Sequence, residues 1–240
     1  MALLWNAITN SYVEFADGSM TAVDVTDQSY SFWIYSPEIP AATQCIFVMA
    51  SAFTASNDLR TIFRKVIGVM GTGYYISGAI RFSVANGTMS QGLTEADITL
   101  NAWHHIGVTA SRTSGAFNMW VDGVAQDLTS GVPSGTVQTG TDCMRIGTNA
   151  AGGQDMNSGR HADIAMWNTT LTEAQFQELA RGVHPYTIAK SNLKMLVPLY
   201  GNNTDSPDFE QNILGTVNGT LTHTSHPEIM GPPRHRRMVA

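Results

Sequence analysis

The sequence is short of the residues on which most enzyme and metal chemistry depends. It carries 2 cysteines in 240 residues, too few for a disulfide framework or a four-thiolate metal site. Cys45 and Cys143 read instead as reduced, buried thiols. Charge is scarce too: 13% of residues are Asp, Glu, Lys or Arg, against roughly 25% in ordinary soluble domains. A formal net charge of −6 argues against nucleic acid as the main ligand, because a phosphate backbone calls for a basic surface. No run of apolar residues approaches the roughly 18–20 needed to span a bilayer, so no membrane partner is expected. The apolar opening from Met1 to Trp5 is too short for a secretory leader, and no positive charge precedes it. The chain is therefore expected to be made in a cytoplasm without a signal peptide. No segment supplies a nucleophile beside its base, a glycine-rich phosphate cradle or a paired acid and base.

Thr, Ser, Asn and Gly take the place of charge, a composition suited to polar-faced strands and turns. Tyr12 to Phe15 alternates apolar and polar residues, Tyr30 to Tyr35 is aromatic and β-branched up to Ser36-Pro37, and Cys45 to Ala50 continues the pattern. Thr61 to Met70 and Gly73 to Val84 follow between glycine breaks. Short strands recurring between turn signals indicate an all-β, two-sheet sandwich. His105 to Ser111 and Ala116 to Val121 flank the loop Arg112 to Gly115, a hairpin. One helix is expected from Thr172, with Gln175 completing a capping box, an apolar stripe of Phe176, Leu179 and Ala180, and Gly182 as terminator. It is short enough to serve as a plug over one end of the sandwich. Leu193 to Tyr200 and Gly215 to Thr224 are expected to be the last two strands.

The ordered series Trp103-His104 entering a strand, Val121-Asp122-Gly123 closing one, Arg145-Ile146-Gly147, and Ala162 to Asn168 leading into Leu171-Thr172-Glu173 resembles the laminin-G-like, concanavalin A-like jelly-roll superfamily. The resemblance runs over about residues 12–222 and implies two antiparallel sheets with a concave ligand face. One departure is the position of the segment Leu193 to Leu199, which opens many such domains and here follows the helix. It implies a permuted strand order, with the last strand pairing near the first. The layout of the C-terminal third is similar to laminin-G-like proteins of tailed phages and environmental bacteria. The expected organisation is a jelly-roll domain over residues 1–230 and a basic arm over 231–240.

The resemblance implies calcium in many members, held by loop oxygens. Here Ala162 stands where an acid is usual, which leaves Asp142, Asp155 and Asp163 as candidate metal ligands around the loop Gly152-Gly153. The competing reading is that these acids, with Asn157, simply form turns. Asp155 and Asn157 are also candidates for contact with a glycan, as are Tyr74 and Tyr75, whose rings serve either stacking or core packing. His104 and His105 are adjacent on a strand and so point to opposite faces, one buried and one exposed, unable to chelate one ion together. Trp33, Trp103, Trp120 and Trp167 are expected in the core, whereas Trp5 reads as an anchor for a partner. Arg234, Arg236 and Arg237, in a terminal stretch without any acid, suit an acidic partner surface through their guanidinium forks.

Hydrolysis of glycosides, known in the superfamily, needs two carboxylates about 5–9 Å apart, and Glu95-Ala96-Asp97 is only a fragment of the strand motif involved. The chain is therefore expected not to be an enzyme. Two functional expectations remain. The first is a virion decoration protein of a phage, made in the host cytoplasm, displayed on the particle surface and bound to a capsid or tail protein or to other copies of itself. The second is a lectin or host-adhesion module binding cell-surface glycan, with calcium as its candidate cofactor.

Overall fold

The computed structural model describes residues 2–6, 11–21, 26–50, 59–67, 73–80, 90–94, 97–127, 141–149, 154–156, 158–199, 205–208, 210, 213–225 and 227. In chain order the elements are β1 (Ala2–Asn6), β2 (Tyr12–Thr21), β3 (Asp27–Tyr35), β4 (Gln44–Ala50), β5 (Leu59–Ile67), β6 (Tyr74–Ile80), β7 (Ser90–Leu93), β8 (Trp103–Ser111), β9 (Ala116–Val121), β10 (Val124–Ala125), β11 (Thr141–Ile146), β12 (Ser158–Trp167), α1 (Glu173–Ala180), β13 (Leu193–Val197), β14 (Asp205–Asp208), β15 (Ile213–Asn218) and β16 (Thr222–Thr224).

These strands form two antiparallel sheets. The helix-side sheet runs β10-β9-β8-β3-β12-β1-β16, with β13 also on β12; the far sheet runs β14-β15-β2-β11-β4-β5-β6-β7. The expected sandwich is present, and so is the permuted closure: β16 pairs with β1 and β15 with β2. The single strand expected over Gly215 to Thr224 is two, because Gly219 turns the chain at φ 74° and passes it from the far sheet to the helix-side sheet.

Alternation places one row of each strand between the sheets. Tyr30, Phe32 and Ile34 from β3 meet Phe47 and Phe63 from the far sheet, Phe32 lying edge-on to Phe47 at 5.4 Å. Trp5 belongs to this core, 1% exposed, with its indole N–H donating to the Ser11 carbonyl at 2.9 Å. The expectation that Trp5 anchors a partner is therefore overturned: β1 pairs with β12 and β16 and turns the ring inward. Cys45 and Cys143 are both free and buried, and burial pushes the Cys45 thiol up to about 12.

α1 begins as its sequence predicts. Thr172 caps it, the Gln175 N–H donating to the Thr172 hydroxyl at 3.3 Å while the Gln175 side chain accepts from the Thr172 N–H at 2.9 Å. Gly182 follows its end at φ 89°. The helix does not plug an end of the sandwich. It lies on the outer face of the helix-side sheet, where Phe176 stacks on Trp120 at 4.4 Å.

Candidate functional site

The outer face of the helix-side sheet is built in two different ways along its length. Under α1 three outward positions on adjacent strands are small: Gly107 on β8, Ser31 on β3 and Ala165 on β12 lie in neighbouring register. A Cβ on Gly107 would run into the Phe176 ring, so the missing side chain is what seats the helix. Ser29 ties the segment before the helix to the sheet, its hydroxyl donating to the Thr169 carbonyl at 2.7 Å and accepting the Leu171 N–H at 2.8 Å. Trp120, Trp167, Leu171, Phe176, Leu179, Leu193 and Leu196 complete a second apolar cluster there.

Toward the other end the outward residues become large and the helix is absent. The pairing places Trp103, Tyr35, Arg160, Leu4 and Thr222 side by side across five strands. Alternation turns this row outward, since Ile34 and Trp5 beside it face the core. Trp103, Tyr35, Arg160 and Leu4 are half-buried and Thr222 is exposed. Tyr35 and Trp103 are 5.8 Å apart, and the Arg160 guanidinium lies 4.4 Å over the Tyr35 ring. The next row holds His105, Trp33 and Ala162, with Trp33 edge-on to His105 at 5.2 Å. Half-exposed aromatic rings around a positioned arginine can stack on a flat ligand and pair with a polar group on it.

Polar contacts hold the rim and floor of this half. Asp122, at the reversal after β9 with φ 51°, accepts from His104 Nδ1 at 2.7 Å and from the His105 N–H at 2.8 Å. Burial raises the Asp122 carboxyl, but those two hydrogen bonds together with the electrostatic pull of His104 and His105 outweigh it and leave the group below its ordinary value. His104 Nε2 in turn meets the Thr99 hydroxyl at 3.0 Å. His105 points the other way, fully buried, against the Ser31 hydroxyl at 2.7 Å; burial lowers its imidazole to about 3. The pair therefore divides between two environments, as its adjacency on a strand requires. Beneath Arg160, inside the sandwich, Lys65 is fully buried and donates to the Ser158 carbonyl at 2.8 Å and the Ser36 hydroxyl at 3.0 Å. Burial lowers its ammonium to about 8. His161 lies buried beside it, edge-on to Trp5 and in contact with the Met156 sulfur, and burial reinforced by Lys65 lowers it to about 3.

The candidates read from sequence are placed differently. Tyr74 is a core residue of β6 with its hydroxyl buried, and burial pushes that group up; it is not available for stacking on a glycan. Tyr75, its neighbour, is half-buried on the opposite face of the far sheet. Asp155 accepts from the Thr148 hydroxyl at 2.5 Å in the loop after β11. Asp142 lies near the start of β11, so about 13 Å of strand separates it from Ile146 and the Asp155 loop. Asp163 is buried in a bulge of β12 in the other sheet, at φ 46°, its N–H donating to the Pro198 carbonyl. The backbone thus sets Asp142 and Asp163 in strands of different sheets. Among the described residues no cluster of three His, Cys, Asp or Glu side chains could hold a metal ion. Asn157, the Asp142 side chain, Arg234, Arg236 and Arg237 lie outside the described residues.

Trp33 and Trp103, expected in the core, are half-buried on the outer face instead, while Trp120 and Trp167 are buried under the helix. Tyr35 and Arg160 were not singled out by sequence. Their signal lies in the register, which sets Arg160 opposite Tyr35 although 125 residues separate them in the chain.

Three solved structures place this architecture among known ones. A heptameric SAP-like pentraxin from Limulus polyphemus superposes with a TM-score of 0.62 at 16% identity, over 90% of this chain and 94% of the pentraxin. A proposed carbohydrate-binding protein from Bacteroides ovatus gives 0.62 at 18% identity, over 92% of this chain and 60% of its own. Domain 4 of an extracellular arabinanase from Geobacillus stearothermophilus, in complex with arabinotriose, gives 0.51 at 17% identity, over 75% and 76% of the two chains. At these identities the likeness is one of fold. The sequence itself matches the family model over residues 8–177, and the chain belongs to the concanavalin A-like lectin/glucanases superfamily.

Proposed function

We propose that this chain is a non-catalytic saccharide-binding protein that uses the open half of its helix-side sheet. The observation that carries the reading is the half-exposed row Trp103, Tyr35 and Arg160, adjoined by Trp33. Aromatic faces suit the apolar C–H faces of sugar rings, and an arginine among them supplies fixed polar donors. The carbohydrate-binding description of the Bacteroides structure and the arabinotriose in the arabinanase domain support it by analogy of fold. Four of the described carboxylates are engaged structurally: Glu14 with Arg145, Asp27 with Ser111, Asp122 with His104 and Asp155 with Thr148. Binding through rings and a guanidinium needs no metal.

A glycan array probed with the native chain and with Trp103→Ala tests this. Specific binding that Trp103→Ala abolishes, and that a chelator leaves unchanged, is expected; an array silent for the native chain overturns the reading. Attachment to a larger assembly, such as a phage particle, is the second reading, carried by three arginines and no acid in residues 231–240. Deleting those residues is expected to release the protein from particles without lowering its melting temperature. Undiminished attachment overturns it.

A further inference from the structure

We propose that the saccharide bound at the open half carries a carboxylate, and that Arg160 is the residue that pairs with it. This rests on the binding reading above. The molecule contains its own comparison, since among the described residues two arginines lie over tyrosine rings. Arg145 is 5.4 Å from the Tyr12 ring centre, and its Nε donates to the Glu14 carboxylate at 2.6 Å. Its charge is matched within the sheet. Arg160 sits closer to its ring, 4.4 Å from the Tyr35 centre, and its Nη1 donates to the Ser225 hydroxyl at 3.0 Å. Among the described residues no carboxylate pairs with it, and its Nε is shielded from water without an acceptor.

A guanidinium in this state is already oriented by the ring below it and by Ser225, so little side-chain freedom remains to be lost when an anion arrives. Its charge has no carboxylate partner among the described residues, which favours an arriving anion over a neutral acceptor. The planar fork matches a carboxylate better than it matches a neutral hydroxyl. Register fixes the distance as well. Trp103 and Arg160 flank Tyr35 on neighbouring strands, so they stand two strand spacings apart, about 9.6 Å. The guanidinium leans over the Tyr35 ring between them, so a sugar ring resting on Trp103 brings a carboxylate on an adjoining unit of an oligosaccharide within reach of Arg160.

Titration calorimetry with short oligogalacturonate, alginate and hyaluronan chains, each beside its carboxyl-reduced neutral form, tests the proposal. The acidic form of at least one is expected to bind about ten- to a hundredfold more tightly than its neutral form, with the advantage shrinking as salt is raised. Arg160→Gln is expected to bring the two forms within about twofold of each other, and Arg160→Lys to restore only part of the difference. Arg145→Gln is expected to leave the preference intact. Melting curves confirm that each variant is folded. Equal binding of both forms, still abolished by Trp103→Ala, overturns the acid preference and leaves the saccharide reading standing. Binding of neither form overturns the acid preference, and the glycan array then decides the saccharide reading. A sulfated neutral chain that binds as tightly as the uronate overturns the carboxylate as the recognised group.

Discussion

The two halves of the helix-side sheet differ in what each side chain is asked to do. Under the helix the sheet withdraws its side chains, Gly107, Ser31 and Ala165, and lets another element fill the space. In the open half it extends Trp103, Tyr35, Arg160 and Trp33, and no described helix covers them. The layer beneath follows the same division. Ile106, Val108 and Met166 back the helix-covered half, whereas Lys65, His161, Ser36 and Ser158 lie under the open one. One face of one sheet thus combines a packing surface with a receiving surface, and the small residues Gly107, Ser31 and Ala165 mark where the helix is seated.

Removing the helix's main side chain gives the largest expected effect. Phe176→Ala is expected to cost about 3–5 kcal/mol, a fall in melting temperature of roughly 6–20 °C for a chain of this size, while saccharide binding at low temperature persists. Loss of binding in a folded Phe176→Ala variant would break the division into independent halves. The buried lysine comes next. With its ammonium lowered to about 8 from the ordinary 10.5, the folded state gives up its proton before the unfolded one, so its contribution to stability rises between about pH 8 and 10.5. The shift corresponds to roughly 3 kcal/mol. The stability difference between Lys65→Met and the native chain is expected to change by about that amount across the window, in favour of the native chain, by denaturant titration at both ends. A constant difference would show that Lys65 is not buried as described.

Gly107→Ala is a gentler probe of the same packing. Its methyl would meet the Phe176 ring, at an expected cost of about 1–3 kcal/mol, and pairing it with Phe176→Ala should remove most of that cost. The smallest effect is expected at the rim. Asp122 is held below its ordinary value, so it contributes stability above the ordinary carboxylate range and loses it as pH falls through the lower folded value. Its carboxylate is 46% exposed, and Asp122→Asn is expected to cost less than about 1 kcal/mol at neutral pH and to flatten stability in acid. An unchanged acid profile would show that His104 does not hold it.

Much of this architecture was readable in advance because its signals are local. The capping box at Thr172, the terminator Gly182 and the hairpin around Gly115 each depend on residues a few positions apart, and each formed. The faces of the strands were not readable in the same way. Along β3, Tyr30, Phe32 and Ile34 alternate with Ser31, Trp33 and Tyr35, so both faces end in large apolar groups and period two does not say which is inside. Trp5 was misread for a related reason: β1 is five residues long, and the partners that bury it, β12 and β16, lie more than 150 residues away. The candidate site suffers most, since it is assembled by register among β8, β3 and β12, and no spacing within the sequence encodes that.

The permuted closure has a consequence for the order in which the molecule can be finished. β1 lies between β12 and β16, and β2 between β11 and β15, so β1 and β2 receive their last neighbours only when residues 213–224 are available. At about 5–20 residues per second on a ribosome, β1 waits on the order of ten to forty seconds for β16. Until then its edge is an unclaimed template that another chain could occupy, which makes that interval the period in which these strands are most exposed to mispairing.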